Sequence, residues 1–264
     1  YNIIINMLYQ SKLRGVSQQV KAEKVPIIDL HAHILPAVDD GSRNTEESVQ
    51  MARMAEAQGI CHIIATPHYS LRENSAGKQL EEKTSDLQQE LLKQGIQIEI
   101  STGQEILYHE GVTELLKSGE VMTLAGSCYV LVEFIESVSW RELYQAARKL
   151  RMARYLPIIA HAERYQCLRE EDRWEQVIDA GAYIQMNFSS LSGNPLNSNV
   201  RWCRQKFLNY EVHFMGTDMH RMDRRTPEIG KTLQWMEKKA GEGYMREILY
   251  EHPKLILENR PLEV

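Results

Sequence analysis

The chain has 264 residues, 43% of them hydrophobic and 25% charged, enough to bury one full α/β core. A formal net charge of -5 excludes the basic excess that marks a nucleic-acid-binding surface. Four cysteines, Cys61, Cys128, Cys167 and Cys203, form no C-x-x-C pair, which argues against a zinc knuckle or a disulfide framework and for a reducing, cytoplasmic setting.

The opening YNIIINMLY is apolar but too short to span a bilayer, and it lacks the basic leader and cleavage site of a signal peptide. Residues 1–24 read as an N-terminal extension whose role the sequence leaves open, ahead of a single domain over residues 25–264. That domain begins with VPIIDLHAHILPAVDDG, whose apolar run Pro26–Leu30 predicts a buried strand. His31 and His33 follow it, and side chains two apart on extended backbone share a face, so both imidazoles can reach one ion. Asp39, Asp40 and Gly41 give a turn whose oxygens suit a hard or borderline cation.

Asn44 followed by Glu47 resembles a capped helix start, and the helix runs on to Gly59. Residues 61–65 predict a second strand ending at ThrProHisTyr, a polar helix follows over Gln79–Gln94, and Ile96–Ile100 predicts a third strand leading to Glu105. Val112–Lys117 reads as a short helix, Tyr129–Phe134 as a fourth strand carrying Glu133, and Arg141–Arg151 as a helix. Tyr155–Ala160 reads as a fifth strand with His161 directly after it. A helix over Asp172–Ala180 leads to a sixth strand, Ala182–Phe188. A polar loop, Ser189–Asn199, is followed by a helix from Val200. The seventh strand, Glu211–Met215, opens into GlyThrAspMetHis, and residues from Pro227 onward read as helical. Alternating strands and helices predict parallel pairing, and seven such units predict a closed or nearly closed barrel.

In such a barrel the site lies at the C-terminal strand ends. The first strand supplies His31, His33 and Asp40; the second His68; the third Glu105; the fourth Glu133; the fifth His161; the seventh Asp218 and His220. The sixth offers only Asn187, a weaker candidate. Any one of these alone would more often be a satisfied core histidine or a surface carboxylate. At successive strand ends they are expected to converge on one mouth.

HAHILPAVDDGS, ATPHY, Glu105, LVEF, AHAERY and GTDMH, in that order, resemble the polymerase and histidinol phosphatase (PHP) superfamily, and within it the bacterial capsular-polysaccharide tyrosine phosphatase branch, over about residues 25–260. The resemblance implies a distorted (β/α)7 TIM-like barrel and up to three divalent ions, usually manganese, although iron, zinc or magnesium also fit the donor set. It implies hydrolysis of phosphotyrosine in a flexible segment of a partner tyrosine kinase of exopolysaccharide synthesis, with no membrane insertion and the option of a homo-oligomer. It places His31, His33, Glu105 and Asp218 around one ion, Glu105, Glu133 and His161 around a second, and Asp40, His68 and His220 around a third. Arg164 and Arg225, or Arg224 in place of the latter, would hold phosphate through paired guanidinium donors. Ala37 stands where the family commonly has Gly, and Arg221 where it has Asn.

Rival readings share parts of this pattern. A histidinol-phosphate phosphatase would use the same ligands, a non-catalytic regulatory module would show gaps among them, and a metal-dependent nuclease sits poorly with the acidic charge. Cys167 and Arg173 have the C-x5-R spacing of cysteine-dependent phosphatases. The LeuArgGluGluAsp between them has no Gly and three acidic side chains, which repel phosphate, so Cys167 is expected to be incidental.

Overall fold

The computed structural model describes residues 25–69, 77–170 and 172–263; the expected extension, residues 1–24, lies outside them. The opening apolar run forms β1 (Ile27–Ala32), which continues past the expected end at Leu30 and takes His31 into the strand. Side chains hold it there. Asp29 Oδ1 accepts from His31 N at 3.2 Å, and Ala32 N donates to Thr66 Oγ1 at 3.0 Å. Pairing with β2 (Ile60–Ala65) shifts register between Asp29 and Ala32, the kind of irregularity that re-aims side chains beside a site.

Helix α1 (Thr45–Ala57) is capped by Asn44, whose side chain accepts from Glu47 N. After β2, Thr66 and Pro67 interrupt the strand, since Pro67 has no N–H to donate, and extended backbone resumes as β3 (His68–Tyr69). Helix α2 (Gly77–Lys93) leads to β4 (Glu99–Thr102) and β5 (Glu105–Leu107), so the third strand starts three residues later than the expected Ile96 and is broken before Glu105. Ile96 and Ile98 are buried but lie outside the ladder, which is why their apolar pattern misleads.

Then come α3 (Val112–Ser118), β6 (Tyr129–Glu133), α4 (Trp140–Met152) with a Ser139–Glu142 capping box, β7 (Leu156–Ile159), α5 (Arg173–Asp179) and β8 (Tyr183–Asn187). The expected loop at 189–199 holds a helical turn, α6 (Phe188–Leu191), because Phe188 and Leu191 are both buried. Helix α7 (Ser198–Leu208) precedes β9 (Phe214–Gly216), which starts later than the expected Glu211. The C-terminal part is helical as expected: α8 (Gly230–Lys239), α9 (Glu242–Arg246), a π-helical turn over Glu247–Glu251 and α10 (His252–Leu257).

All strand pairs are parallel, in two ladders ordered β1-β2-β4 and β3-β5-β6-β7-β8-β9. Gly103 N to Ala65 O (2.8 Å) and Glu105 N to Pro67 O (3.1 Å) carry pairing across the break between them. Beyond β9 the chain returns to β1 through a parallel bridge between Ala32 and Met219, with Asp218 N donating to His31 O at 2.9 Å. The result is one mixed α/β fold built on a curled parallel sheet.

Strand alternation sorts the core into two layers. Tyr129, Leu131, Leu156, Ile158, Tyr183 and Phe214 form one cluster with Leu30, Ile64 and Ile256, while Val130, Val132, Ile159, Ile184 and Met215 pack in a larger cluster that also takes up helix side chains such as Met51, Leu143 and Phe207. Continuing the first face two residues at a time along β6, β8 and β9 arrives at Glu133, at Gln185 and Asn187, and at Gly216 and Asp218. The inner face of the sheet is therefore apolar at the N-terminal strand ends and polar at the C-terminal ends, where the site forms.

Candidate metal centre

Nine side chains meet at these strand ends: His31, His33, Asp40, His68, Glu105, Glu133, His161, Asp218 and His220. Their ligand atoms fall into overlapping groups, each with all members within 4.8 Å of one another: His33, Asp40, His68 and His220; His31, His33 and Asp218; His31, Glu105 and His161; His68, Glu105 and Glu133. The grouping departs from the expected sharing of ions: His33 also joins Asp40, His68 and His220, His161 falls with His31 and Glu105, and Glu133 falls with His68 and Glu105. Glu133 Oε1 lies 3.1 Å from His68 Nδ1, whereas Glu133 Oε2 and His161 Nε2 are 3.8 Å apart.

Glu105 is central. It is fully buried, its Oε1 lies 2.8 Å from His161 Nε2, and its Oε2 stands 3.1 to 3.2 Å from His31 Nε2, His33 Nε2 and His68 Nδ1. That Oε2 has no hydrogen-bond partner among the described residues. On three of the histidines Nδ1 points away from that oxygen: His31 Nδ1 faces Gln185 Oε1 at 3.1 Å, His33 Nδ1 faces Asp39 Oδ2 at 2.7 Å, and His220 Nδ1 faces the Asp218 carbonyl at 2.9 Å. At His31 and His33 Nδ1 therefore donates and Nε2 is turned inward, while His220 Nε2 accepts from Arg225 Nη1. His31 Nε2 and His33 Nε2 lie 3.3 Å apart, and both face carboxylate oxygens. Nitrogens and carboxylate oxygens crowded in this way are stabilised by positive charge between them, and imidazole with carboxylate suits a divalent metal. The donor set thus fits the implied metal.

Electrostatics agree. Burial alone would push the imidazolium forms of His31 and His33 down in pKa, but Glu105 and Asp218, with Asp39 at His33, overcome it and hold both above the ordinary value. Burial likewise opposes ionisation of Glu105 and Asp218, yet the surrounding histidines keep both well below the usual carboxylate range. His220 is depressed to about 4, by burial and then by His33. The centre is a place that attracts positive charge.

Backbone strain marks the same residues. His161 (φ 33°), Asp218 (φ 51°) and Arg225 (φ 53°) all adopt left-handed conformations, which cost energy for side chains with a Cβ and cluster at functional sites. Ala37 also sits at φ 51°, which explains why glycine suits that position. Gly41 is required sterically, because a Cβ there would collide with the His33 carbonyl.

Arg164 Nη2 pairs with Asp218 Oδ2 at 2.5 Å, and Arg225 Nη1 lies 3.1 Å from His220 Nε2 and 3.6 Å from Asp218 Oδ1. Arg224 and Arg225 are both exposed, but it is the Arg225 guanidinium that lies against His220 and Asp218. Arg221, the other departure from the family pattern, donates from Nε to the Gly41 carbonyl at 3.0 Å and ties this loop to the Asp39–Gly41 turn. The centre is graded in depth: His31, His33, Glu105, His161 and Asp218 form a buried floor, while Glu133, His68, Arg164, Arg225 and Asp40 become progressively more open.

Asp39, expected to offer its oxygens to a cation, serves instead as a support, and the supporting residues Asp29 and Glu163 were not singled out from the sequence. Asp39 holds His33 and also accepts from Gly41 N and His68 N. Asp29, fully buried and raised to about 6 by burial against the pull of its hydrogen bonds from Thr217, ties β1 to the segment after β9. Glu163 accepts from Asn187 N and Ser190 Oγ and anchors the turn that carries Arg164. The available signal was a polar residue inside an apolar run, as in IIDLHA and YIQMNF. Cys167, half-buried, has its thiol pushed up by burial, so it is not poised as a thiolate.

Comparison with known proteins gives concordant matches. The family described as Capsular polysaccharide synthesis, CpsB/CapC, matches residues 27–258. The chain is 31% identical over 240 residues to the tyrosine-protein phosphatase YwqE of Bacillus subtilis, covering 89% of this chain and 93% of that one. It is 32% identical over 241 residues to the tyrosine-protein phosphatase CpsB of Streptococcus pneumoniae, covering 88% and 98%. A solved structure from work on YwqE of Bacillus subtilis and CpsB of Streptococcus pneumoniae, described there as unique metal-dependent tyrosine phosphatases, superimposes with a TM-score of 0.82 at 30% identity over 90% of this chain and 96% of that one. A phosphotriesterase homology protein from Escherichia coli shares the fold alone, with a TM-score of 0.56 at 13% identity over 89% of this chain and 99% of that one.

Proposed function

The chain belongs to the CpsB/CapC family of capsular polysaccharide synthesis, and from that membership we propose that it is a metal-dependent protein-tyrosine phosphatase. Its substrate is phosphotyrosine in a flexible segment of a bacterial tyrosine kinase of polysaccharide synthesis, and manganese is the metal the family resemblance favours. The observation that carries the metal reading is Glu105 Oε2, a buried carboxylate oxygen with no hydrogen-bond donor among the described residues, ringed by imidazole nitrogens.

His31, His33, Asp40, His68, Glu105, Glu133, His161, Asp218 and His220 would hold up to three divalent ions. When bound, such ions supply Lewis-acid charge to phosphoryl oxygens and lower the pKa of water. The protein's own groups do the rest. Arg164 and Arg225 present guanidinium donors at the open side of the centre, where phosphate oxygens would lie, and their pairing with Asp218 keeps them aimed before substrate arrives. The buried floor excludes bulk water from the inner ligands, and the exposed Asp40 side leaves room for an extended peptide.

We assign residues 25–264 to one (β/α)7 barrel domain of the PHP type, with residues 1–24 as an extension, and place the protein in the cytoplasm. Among the described residues no helix is long and apolar enough to cross a membrane. The test is turnover of a phosphotyrosine peptide and of histidinol phosphate by protein stripped of metal and then reloaded with manganese. Stripping should abolish phosphotyrosine hydrolysis, manganese should restore it, and the peptide should be turned over far faster than histidinol phosphate. Full activity after exhaustive chelation, or a trapped phosphocysteine, would refute the mechanism, and the reverse substrate order would refute the substrate class.

A further inference from the structure

Strand β8 contributes none of the nine proposed ligands, yet it places two amides, Gln185 and Asn187, on the inner face directly beneath the centre, both buried. Their orientation is fixed from outside. His161 N can only donate, and it points at Gln185 Oε1 at 2.7 Å, so the oxygen of that amide must stand there. The same oxygen lies 3.1 Å from His31 Nδ1, which must then carry the imidazole proton and leave Nε2 free to face the centre. The other end of the amide, Gln185 Nε2, donates to Asn187 Oδ1 at 2.8 Å. That sets the second amide in turn, and Asn187 Nδ2 donates to Asp218 Oδ2 at 2.9 Å, the oxygen that also receives Arg164. Gly216 on β9 leaves the room for this arrangement, since a Cβ there would stand 2.8 Å from His31 Cβ and 3.0 Å from Gln185 Nε2.

We propose that Gln185 and Asn187 are positioning residues that act as one directional hydrogen-bond chain: it starts at the His161 backbone, selects the His31 tautomer that can bind a metal, and orients Asp218 together with the phosphate-facing Arg164. Reversing either amide sets a donor against a donor or an oxygen against the Asp218 carboxylate, so the chain has one self-consistent direction. The proposal rests on the reading of His31 and Asp218 as metal ligands.

The experiment is manganese titration of metal-stripped protein by calorimetry, followed by inorganic phosphate titration of the reloaded protein. Gln185→Leu should weaken manganese binding about 10- to 100-fold, the usual effect of removing a group that orients a ligand. Gln185→Glu keeps an acceptor for His161 N and His31 Nδ1, so it should recover manganese binding. Having no donor for Asn187, it should lose phosphate affinity as Asn187→Ala does. In zinc-loaded wild-type protein, long-range proton–nitrogen correlations should place the His31 proton on Nδ1. Wild-type manganese and phosphate affinities in both Gln185→Leu and Asn187→Ala, or a His31 proton on Nε2, would overturn the proposal. If Gln185→Leu does not fold, unchanged phosphate affinity in both Gln185→Glu and Asn187→Ala overturns it equally. Failure of the wild-type protein itself to bind manganese would instead refute the metal reading on which the proposal rests.

Discussion

Replacing Asp39 by Asn changes one atom and removes one charge, yet the structure assigns it a large effect. The carboxylate accepts from His33 Nδ1 at 2.7 Å, Gly41 N at 2.9 Å and His68 N at 3.0 Å, with Oδ2 serving both histidine residues and Oδ1 serving Gly41. An amide has a single acceptor oxygen. If it keeps the Oδ2 position, its NH2 meets Gly41 N–H, and an unsatisfied buried donor costs about 1–3 kcal/mol. If it turns over, its NH2 meets His33 Nδ1 and His68 N–H, and His33 must move its proton to Nε2, which removes that nitrogen as a ligand. The first orientation is the cheaper, and it still replaces a charge-assisted bond to His33 with a neutral one of roughly half the strength. Manganese affinity in Asp39→Asn should therefore fall about 10- to 100-fold. Calorimetric titration of metal-stripped protein measures it, with thermal melts of the stripped and loaded forms recorded alongside. Wild-type affinity together with an unchanged melting temperature would refute the orienting role of Asp39.

Three further outcomes follow from the same geometry. His213 is buried away from the centre and depressed to about 4, by burial and then by His252, so between about pH 4 and 6.5 the unfolded chain binds a proton that the folded chain refuses. Its contribution is full above pH 6.5 and lost as pH falls through that window; the fall from 6.5 to about 4 is worth roughly 3 kcal/mol, so His213→Gln should flatten this part of the urea-denaturation profile, and an identical slope would refute the assignment. Glu47, held at about 2 chiefly by Arg43, also accepts from Met222 N, so Glu47→Ala should loosen the 221–225 loop and lower phosphate affinity while manganese affinity stays near wild type; loss of the metal instead would contradict this. Serine at Cys61, Cys128 and Cys167 should leave turnover nearly unchanged, whereas Cys203, buried in the core with its thiol pushed up to about 12, should be replaced by Ala because a serine hydroxyl there would lower the melting temperature; loss of turnover on Cys167→Ser would overturn the spectator role.

The sequence alone determined the alternation of strands and helices and the residues at the strand ends, because both are local properties. Apolar runs such as Tyr129–Glu133 and Leu156–Ile159 announce strands by themselves, and His31, His33, His68, Glu105, Glu133, His161, Asp218 and His220 each stand directly at or after one. Strand limits were less legible. Ile96 and Ile98 carry a strand pattern but pack without laddering, and β1 runs on past Leu30 with Ala32 bonded to Thr66, 34 positions away, which no local pattern encodes. Only the tertiary structure decided which groups support the ligands. Gln185 reaches His31 across 154 positions of sequence and Asp29 reaches Thr217 across 188, and composition cannot show that a polar residue in an apolar strand has found such a partner. Which oxygen of Glu105 lacks a donor among the described residues, which nitrogen of His31 faces Gln185 and which of Arg224 and Arg225 reaches His220 depend on distances of a few tenths of an ångström between distant segments. Those distances exist only once the curled sheet brings β9 back against β1.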